Sequence, residues 1–234
     1  IYTLSLHDAL PIWSANEQGK LILPLIPLRG LTIYPNMVLH FDIGREKSIN
    51  ALEKAMIRNQ HIFLATQKDE NTDLPTIHDF YHVGTVARIK QMLKLPGDSI
   101  RVLVEGICRG EIDEMTMEVP YFQCTVTEIE EEEMEEIDPR TEALMRSVLD
   151  AFDEYLSINQ KMSSETFAAV ATISEPGRFA DMVASHLDVK TEEKQEILEA
   201  IDVYTRLEKI NTILTREIEI LHIEHRRPDR KSVV

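Results

Sequence analysis

Residues 83–89 read VGTVARI, and residues 99–106 read SIRVLVEG. The first stretch alternates larger apolar residues with small or polar ones, which is typical of a strand with one buried face. The sequence Pro-Gly-Asp at 96–98, which precedes the second stretch, is typical of a turn. We therefore predict that both stretches are strands separated by a turn.

Short apolar runs on either side of this pair extend the β-rich segment. Further strands are predicted at 21–26, 37–43, 61–66 and 121–127. Pro24 and Pro27 favour an edge position for the first of them, because proline cannot donate a backbone hydrogen bond. One helix is predicted at about 48–59, where apolar residues recur at helical spacing. The glycines and prolines between the runs favour a small barrel or sandwich.

Apolar residues at helical spacing dominate the sequence after Pro139. Helices are predicted at about 139–156, 167–173, 175–186, 191–198 and 201–225. The apolar stripe of the last one is nearly a heptad repeat, formed by Val203, Leu207, Ile210, Leu214, Ile218 and Leu221. A helix of about 25 residues is roughly 37 Å long, more than the shorter helices can cover. We therefore expect Leu207 and Ile210 to pack on the bundle, and Ile218 and Leu221 to be exposed for self-association.

Acidic residues outnumber basic ones by 41 to 25 among the 234 residues, for a net charge of −16. Half of this charge lies at 128–138, which holds eight acidic residues and no basic one. Because like charges repel each other and stay solvated, we predict that this segment is an exposed connector. The acidity argues against a general nucleic-acid binder. No apolar run reaches the roughly 20 residues of a membrane span. With two cysteines and no signal peptide in the sequence, we expect a cytoplasmic protein.

The usual sequence motifs of enzymes and metal sites are missing. We find no phosphate-binding loop, no dinucleotide-binding glycine pattern, no nucleophile elbow and no Cys-x-x-Cys or His-Glu-x-x-His zinc pattern. His222 and His225 lie three residues apart, which fits a solvated helix face better than a zinc site. We therefore predict no catalytic residue, no metal ligand and no cofactor in this sequence.

The two ends of the sequence are related to each other in an unusual way. Residues 7–12 read HDALPI, which can be encoded by CAC GAC GCT CTT CCG ATC. The reverse complement of that DNA encodes DRKSVV, the sequence at 229–234. The two strings resemble a sequencing adapter translated at both ends of a DNA fragment. We therefore leave 1–12 and 229–234 out of the fold prediction, and expect the natural protein to continue past Arg227.

Several motifs in fixed order carry a family resemblance. In the first half they are LIPLRG at 25–30, IYPNMV at 33–38, GREKSI at 44–49, VGTVARI at 83–89 and RVLVEG at 101–106. In the second half they are ISEPGRFAD at 173–181 and KQEILE at 194–199. Together they resemble the N-terminal domain of Lon, the bacterial ATP-dependent protease, over about residues 20–227. His40 departs from the pattern, because the family more often has proline there.

The resemblance implies an α+β fold in three parts. A PUA-like β-barrel or sandwich domain is expected at 20–127, the acidic connector at 128–138, and an α-helical bundle with a long projecting helix at 139–228. It also implies that the region recognises unfolded or degron-bearing protein substrates and helps to organise a homohexamer. In the family, an ATPase module that uses ATP and Mg and a Ser-Lys protease module follow. This chain alone is therefore expected to be catalytically inactive, as a part of a protease that degrades misfolded and regulatory proteins.

Other functions remain open at this stage. A free-standing LON-domain adaptor would share the motifs, although it would not need a projecting helix. An RNA-binding PUA-like protein is disfavoured by the net charge of −2 over residues 13–127. An enzyme with an unrecognised active site is disfavoured by the missing motifs.

The segment with the densest family match supplies the candidate substrate-binding residues. They are Leu28, Arg29, Leu31, Ile33 and Met37. An extended, proline-punctuated backbone with apolar side chains could cradle an exposed hydrophobic peptide. The alternative is that the apolar members of this set all belong to the core.

Overall fold

The computed structural model describes residues 20–131, 136–159 and 164–225. The chain divides between Glu130 and Glu131 into two compact units, which we call the β unit and the helical unit. The adapter-like ends predicted at 1–12 and 229–234 lie outside the described residues, as do residues 132–135 of the predicted connector.

The β unit is built on six strands. They are β1 (Leu21–Leu28), β2 (Val38–Ile43), β3 (His61–Thr66), β4 (Val83–Lys94), β5 (Ile100–Met117) and β6 (Phe122–Ile129). Their order in the sheet is β2-β5-β4-β3-β1-β6, and β5 also pairs with β6. The edge position predicted for β1 is wrong, because β1 lies between β3 and β6. Because the 18-residue β5 pairs with β4 along one part and with β6 along another, the sheet closes into a barrel, with β2 as an added edge strand. Strand β6 ends at Ile129, two residues inside the predicted connector.

One helix, α1 (Glu46–Ile57), connects β2 to β3 and covers part of the barrel. It begins two residues before the predicted start, with Arg45 at the N-cap position. Its buried face, Ala51, Leu52 and Ala55, packs into a core cluster with side chains of β1, β3, β4 and β5. The helix therefore fixes the ends of β2 and β3 against the barrel.

Gly106 is required where β5 passes the chain segment that enters β2. A Cβ atom at this position would overlap the backbone carbonyl of Tyr34. The amide of Asn36 donates to the Gly106 carbonyl over 2.9 Å, and the Gly106 amide donates to the Met37 carbonyl over 2.9 Å. The close approach thus ties the segment before β2 to the barrel wall.

A buried histidine gives the β unit a pH dependence. His61 is buried at the start of β3, and burial, followed by the nearby Arg88, holds its pKa below the ordinary value. The unfolded chain therefore binds a proton more readily than the folded one once the pH falls below about 6.5, and stability is lost as the pH drops further.

We expect the melting temperature to fall between about pH 7 and pH 5.5, above the range in which carboxylates titrate. The His61→Gln variant should show a smaller fall over the same range, because it carries no proton-binding imidazole there. Thermal melts of both proteins measure this, and equal falls would contradict the assignment to His61.

The helical unit contains five helices. They are α2 (Pro139–Ile158), α3 (Ser164–Ala171), α4 (Pro176–Ser185), α5 (Thr191–Glu199) and α6 (Val203–His225). The Asp138 carboxylate caps α2 by accepting from the amides of Arg140 (2.8 Å) and Thr141 (3.2 Å). The Glu175 carboxylate caps α4 through the Arg178 amide at 3.0 Å. Strands followed by helices confirm the predicted α+β class.

The prediction that Ile218 is exposed is wrong, whereas the role of Ile218 and Leu221 in self-association stays a prediction. Ile218 is only 8 % exposed and Leu221 is half-buried, whereas Ile223 is 55 % exposed. The reason is that α2 has 20 residues and lies along α6 in the same direction. Ser147 donates to Asn211 over 3.3 Å, and Glu154 lies 3.1 Å from the His222 Nε2 near the end of both helices. Helix α2 therefore covers the apolar stripe that the sequence left without a partner.

A buried ion cluster joins three parts of the helical unit. The fully buried Arg206 guanidinium donates to the Asp181 carboxylate (3.2 Å) and to the Glu131 carboxylate (2.8 Å). It also donates to the backbone carbonyls of Ala200 (2.8 Å) and Ile201 (3.0 Å). The cluster ties α6 to α4 and to the residue at which this unit begins. None of the helices in the described ranges combines the length and apolar character that a bilayer span requires.

Candidate functional site

A cavity of about 300 Å³ opens in the β unit where the ends of β1 and β2 meet the start of α1. Its apolar wall is formed by Ile26, Pro27, Leu28, Leu31, Phe41 and Ile43. Its polar lining is formed by Arg29, Asp42, Gly44, Arg45 and Ser48. The cavity therefore offers an apolar surface with a charged end, a combination typical of sites for amphipathic ligands.

Local chain geometry brings these residues together. Gly30 adopts the left-handed region with a φ of 60°, which turns the chain immediately after β1. This turn places Arg29 and Leu31 beside the cavity. On the other side, β2 ends at Ile43, and the helix start follows after Gly44.

Arg45 is held in a fixed position by two hydrogen bonds. Its Nη2 donates to the Pro27 carbonyl over 2.7 Å, and its Nη1 donates to the Gln67 side-chain oxygen over 3.1 Å. Gln67 is itself buried, and its amide nitrogen donates to the carbonyls of Asp69 (2.6 Å) and Thr72 (2.7 Å). Burial, followed by the nearby Arg29 charge, holds the pKa of Arg45 below its ordinary value.

The other two charged residues of the cavity have opposite charges beside them. Arg29 Nη2 lies 2.9 Å from Asp73 Oδ1. Asp42 accepts two hydrogen bonds from Arg101, at 2.7 and 2.8 Å, which hold the pKa of the Asp42 carboxyl below its ordinary value. No carboxylate of the described residues forms an ion pair with Arg45. Asp73 also acts on Arg45, so the two arginines share one carboxylate and this end of the cavity keeps one net positive charge.

The N-terminus of α1 adds to the positive character of this end. No side chain caps the helix, and the amides of its first residues, Glu46 and Lys47, have no acceptor within the helix itself. The helix dipole places partial positive charge at this point. Ser48, in the first turn, lines the cavity and is only 3 % exposed, yet its Oγ has no hydrogen-bond partner.

The predicted substrate-binding residues fall into two groups. Leu28, Arg29 and Leu31 line the cavity, whereas Ile33 and Met37 are outside its lining. Leu28 and Ile33 are buried core residues, so the core alternative holds for these two. Leu31 and Met37 pack against the core from partly exposed positions. Their role in binding stays a prediction.

The sequence left open whether Arg45 contacts substrate or pairs with an acidic neighbour such as Glu46, and it did not single out Ser48. Both lie in the GREKSI motif at 44–49, so a local signal existed. Their significance depends on Pro27 and Gln67, which are 18 and 22 residues away from Arg45. A motif cannot reveal that two distant segments hold an arginine in place beside a second arginine.

Candidate chemistry elsewhere in the described ranges is limited. No group of three or more metal-ligating side chains comes together there. Burial, followed by the nearby Glu128, raises the pKa of the Cys108 thiol, and burial, followed by Asp113, raises that of Cys124. A thiol with a raised pKa is a poor nucleophile at neutral pH.

Comparison with known proteins gives consistent matches. The family model described as "ATP-dependent protease La (LON) substrate-binding domain" matches residues 22–216. The Lon protease of Brevibacillus choshinensis is 50% identical over 210 residues, which cover 90% of this chain and 27% of that protein. Lon protease 1 of Bacillus subtilis is 50% identical over 208 residues, or 89% of this chain and 27% of that protein. The chain thus spans about a quarter of the length of these curated relatives.

Solved structures share the fold at low sequence identity. The N-terminal domain of the Mycobacterium avium complex Lon protease has a TM-score of 0.68 at 18% identity, and covers 83% of this chain and 98% of its own. A Lon N-terminal domain protein from Xanthomonas campestris has a TM-score of 0.58 at 13% identity, and covers 81% and 96%. These likenesses confirm the fold expected from the sequence motifs.

Proposed function

Because the chain belongs to the LON substrate-binding domain family, we propose that it recognises protein substrates for an ATP-dependent Lon protease of the cytoplasm. The substrates are unfolded or degron-bearing proteins, including misfolded and regulatory ones. The chain by itself is catalytically inert, and ATP and Mg are used by another module of the parent protease. Self-association into a homohexamer completes the proposed role, as in the parent family.

The observation that carries this proposal is the cavity at the ends of β1 and β2. Among the described strands, β2 pairs only with β5, so its other edge offers backbone groups to an incoming extended segment. Strand addition of this kind gives affinity through main-chain hydrogen bonds, while pockets for side chains give selectivity. The cavity lies at the C-terminal end of β2 and supplies such a pocket, with Leu31 and Phe41 in its wall.

Replacing Leu31 by Asp should weaken binding of an unfolded protein by about ten-fold, which corresponds to roughly 1.4 kcal/mol. Leu31 is partly exposed in the cavity wall, so the charge disrupts the apolar contact and leaves the deeper core in place. The measurement is fluorescence anisotropy of labelled casein, which is unfolded under native conditions, titrated with each protein.

Ile57→Asp is the matched control for this experiment. Ile57 is exposed at the opposite end of α1 and lies outside the cavity lining, so the same change of charge should leave casein affinity within two-fold. Melting curves establish that both variants are folded. Unchanged casein affinity in a folded Leu31→Asp variant would refute the cavity as the binding site.

The self-association part of the proposal has its own candidate residues. With Ile218 covered by α2, the exposed apolar residues near the end of α6 are Ile220 and Ile223. We expect the Ile220→Glu, Ile223→Glu double variant to self-associate less than the parent chain. Sedimentation of the two proteins side by side measures the difference.

A further inference from the structure

The incompletely balanced charge of Arg45 is a feature that substrate recognition in general does not explain. A guanidinium has five N–H donors, and Arg45 uses two of them for Pro27 and Gln67. Burying a cation beside a second cation costs free energy unless an anion is supplied. Among the described residues, Arg29 forms an ion pair with Asp73 and Arg101 forms one with Asp42, whereas Arg45 forms none and only shares the charge of Asp73 with Arg29. The cavity is therefore prepared for one negative charge.

Ser48 provides a second and independent indication at the same place. A buried hydroxyl without a hydrogen-bond partner is costly, and native structures contain few of them. Ser48 lines the same cavity as Arg45, in the first turn of a helix that no side chain caps. Helix N-termini and hydroxyl groups both donate hydrogen bonds to anions.

We propose that the Arg45 end of the cavity binds one carboxylate of an extended protein segment whose apolar side chains contact Leu31 and Phe41. This rests on the proposed function and adds the chemistry that selects the segment. One net positive charge, left by two arginines that share Asp73, matches a carboxylate and leaves a doubly charged phosphate unbalanced. The planar guanidinium fork suits two carboxylate oxygens, and the apolar wall suits the side chains that flank the charge.

Three fluorescent ten-residue probes test the ligand chemistry against the 234-residue chain. All share one Gly-Ser-rich sequence that ends in two leucines. The first has a free C-terminal carboxylate, the second is its C-terminal amide, and the third is the amide with one Glu beside the leucines. The free acid should bind the parent chain about ten-fold more tightly than the plain amide, since hydrogen bonds to charged groups contribute that much. Equal affinities of the amide and both carboxylate probes would overturn the proposal.

The third probe identifies the source of the carboxylate. If it binds as tightly as the free acid, the site accepts an acidic side chain within a protein. If it binds like the plain amide, the site requires a chain terminus. Both results support a carboxylate site, provided that the free acid is preferred over the plain amide.

Protein variants assign the preference to the cavity. The Arg45→Gln variant should bind all three probes as weakly as the parent chain binds the amide, whereas Arg88→Gln, at an exposed position on β4 outside the cavity, should keep the ten-fold preference. A full preference in a folded Arg45→Gln variant would overturn the assignment.

Ser48→Ala provides a second variant if the loss of the bonds to Pro27 and Gln67 unfolds Arg45→Gln. It removes an unsatisfied hydroxyl and should fold with an unchanged or higher melting temperature. The preference for the free acid should fall about three-fold, and an unchanged preference would count against the site. One combination of results separates this proposal from the proposed function. If casein binding depends on Leu31 but all three probes bind with equal affinity, the carboxylate site is refuted and the proposed function stands.

Discussion

Replacing Leu207 and Ile210 together by Ala should lower the free energy of unfolding of the helical unit by about 4–10 kcal/mol. Both side chains are fully buried in α6, on the face that packs in the bundle. Each truncation removes buried methyl groups and leaves a cavity, and each costs about 2–5 kcal/mol. Because whole domains are stable by only about 5–15 kcal/mol, the double variant should be partly unfolded at room temperature.

Urea denaturation followed by circular dichroism measures this loss. The matched control is the Ile220→Ala, Ile223→Ala double variant on the same helix, because both of its side chains are exposed. That control should change the free energy of unfolding by less than about 1 kcal/mol, apart from any effect of self-association. A similar loss in the two double variants would show that Ile220 and Ile223 are also packed.

Replacing Arg206 by Met should lower the free energy of unfolding of the helical unit by about 3–5 kcal/mol. The substitution removes the cation that faces the buried Asp181 carboxylate, and it also removes the hydrogen bonds that Arg206 donates to the Glu131 carboxylate and to the Ala200 carbonyl. An unpaired buried charge is more costly than the loss of the ion pair itself. The same urea denaturation, monitored at the helical signal, measures the effect.

Two companion variants separate charge from packing. Arg216 forms ion pairs with Glu193 and Glu217 at the surface, so Arg216→Met should cost less than about 1 kcal/mol. Changing Asp181 to Leu in the Arg206→Met background should restore part of the stability, because the buried carboxylate is removed as well. If Arg206→Met and Arg216→Met lose equal stability, the buried cluster has no special role.

Local patterns predicted most elements, and tertiary contacts explain the differences. Strand β3 lies where its apolar run predicted it, at His61–Thr66. Strand β5 was predicted only to residue 106, but it continues to Met117 through a sequence rich in charged residues. Those residues are strand because they pair with β6, which a local pattern cannot show.

Contacts between residues distant in sequence also explain the differences in the helical unit and in the cavity. The exposure of Ile218 depends on the length and direction of α2, which no property of α6 determines. Arg206 lies next to the apolar stripe of α6 and is buried there because the Asp181 and Glu131 carboxylates, which are distant in sequence, pair with it. In the site, Leu28, Arg29 and Leu31 were selected from the sequence, whereas Arg45 required knowledge of its distant partners.

The protection of both native thiols makes this chain convenient for single-site labelling. Cys108 and Cys124 are the only cysteines in the sequence, and their raised pKa values favour the protonated thiol, which reacts slowly at neutral pH. A cysteine introduced at Leu74, which is 88 % exposed and follows the Asp73 partner of Arg29, would therefore react with a maleimide dye faster than either native thiol. The emission of such a dye beside the cavity would report the arrival of a substrate segment in real time, without any change to the native residues that line the cavity.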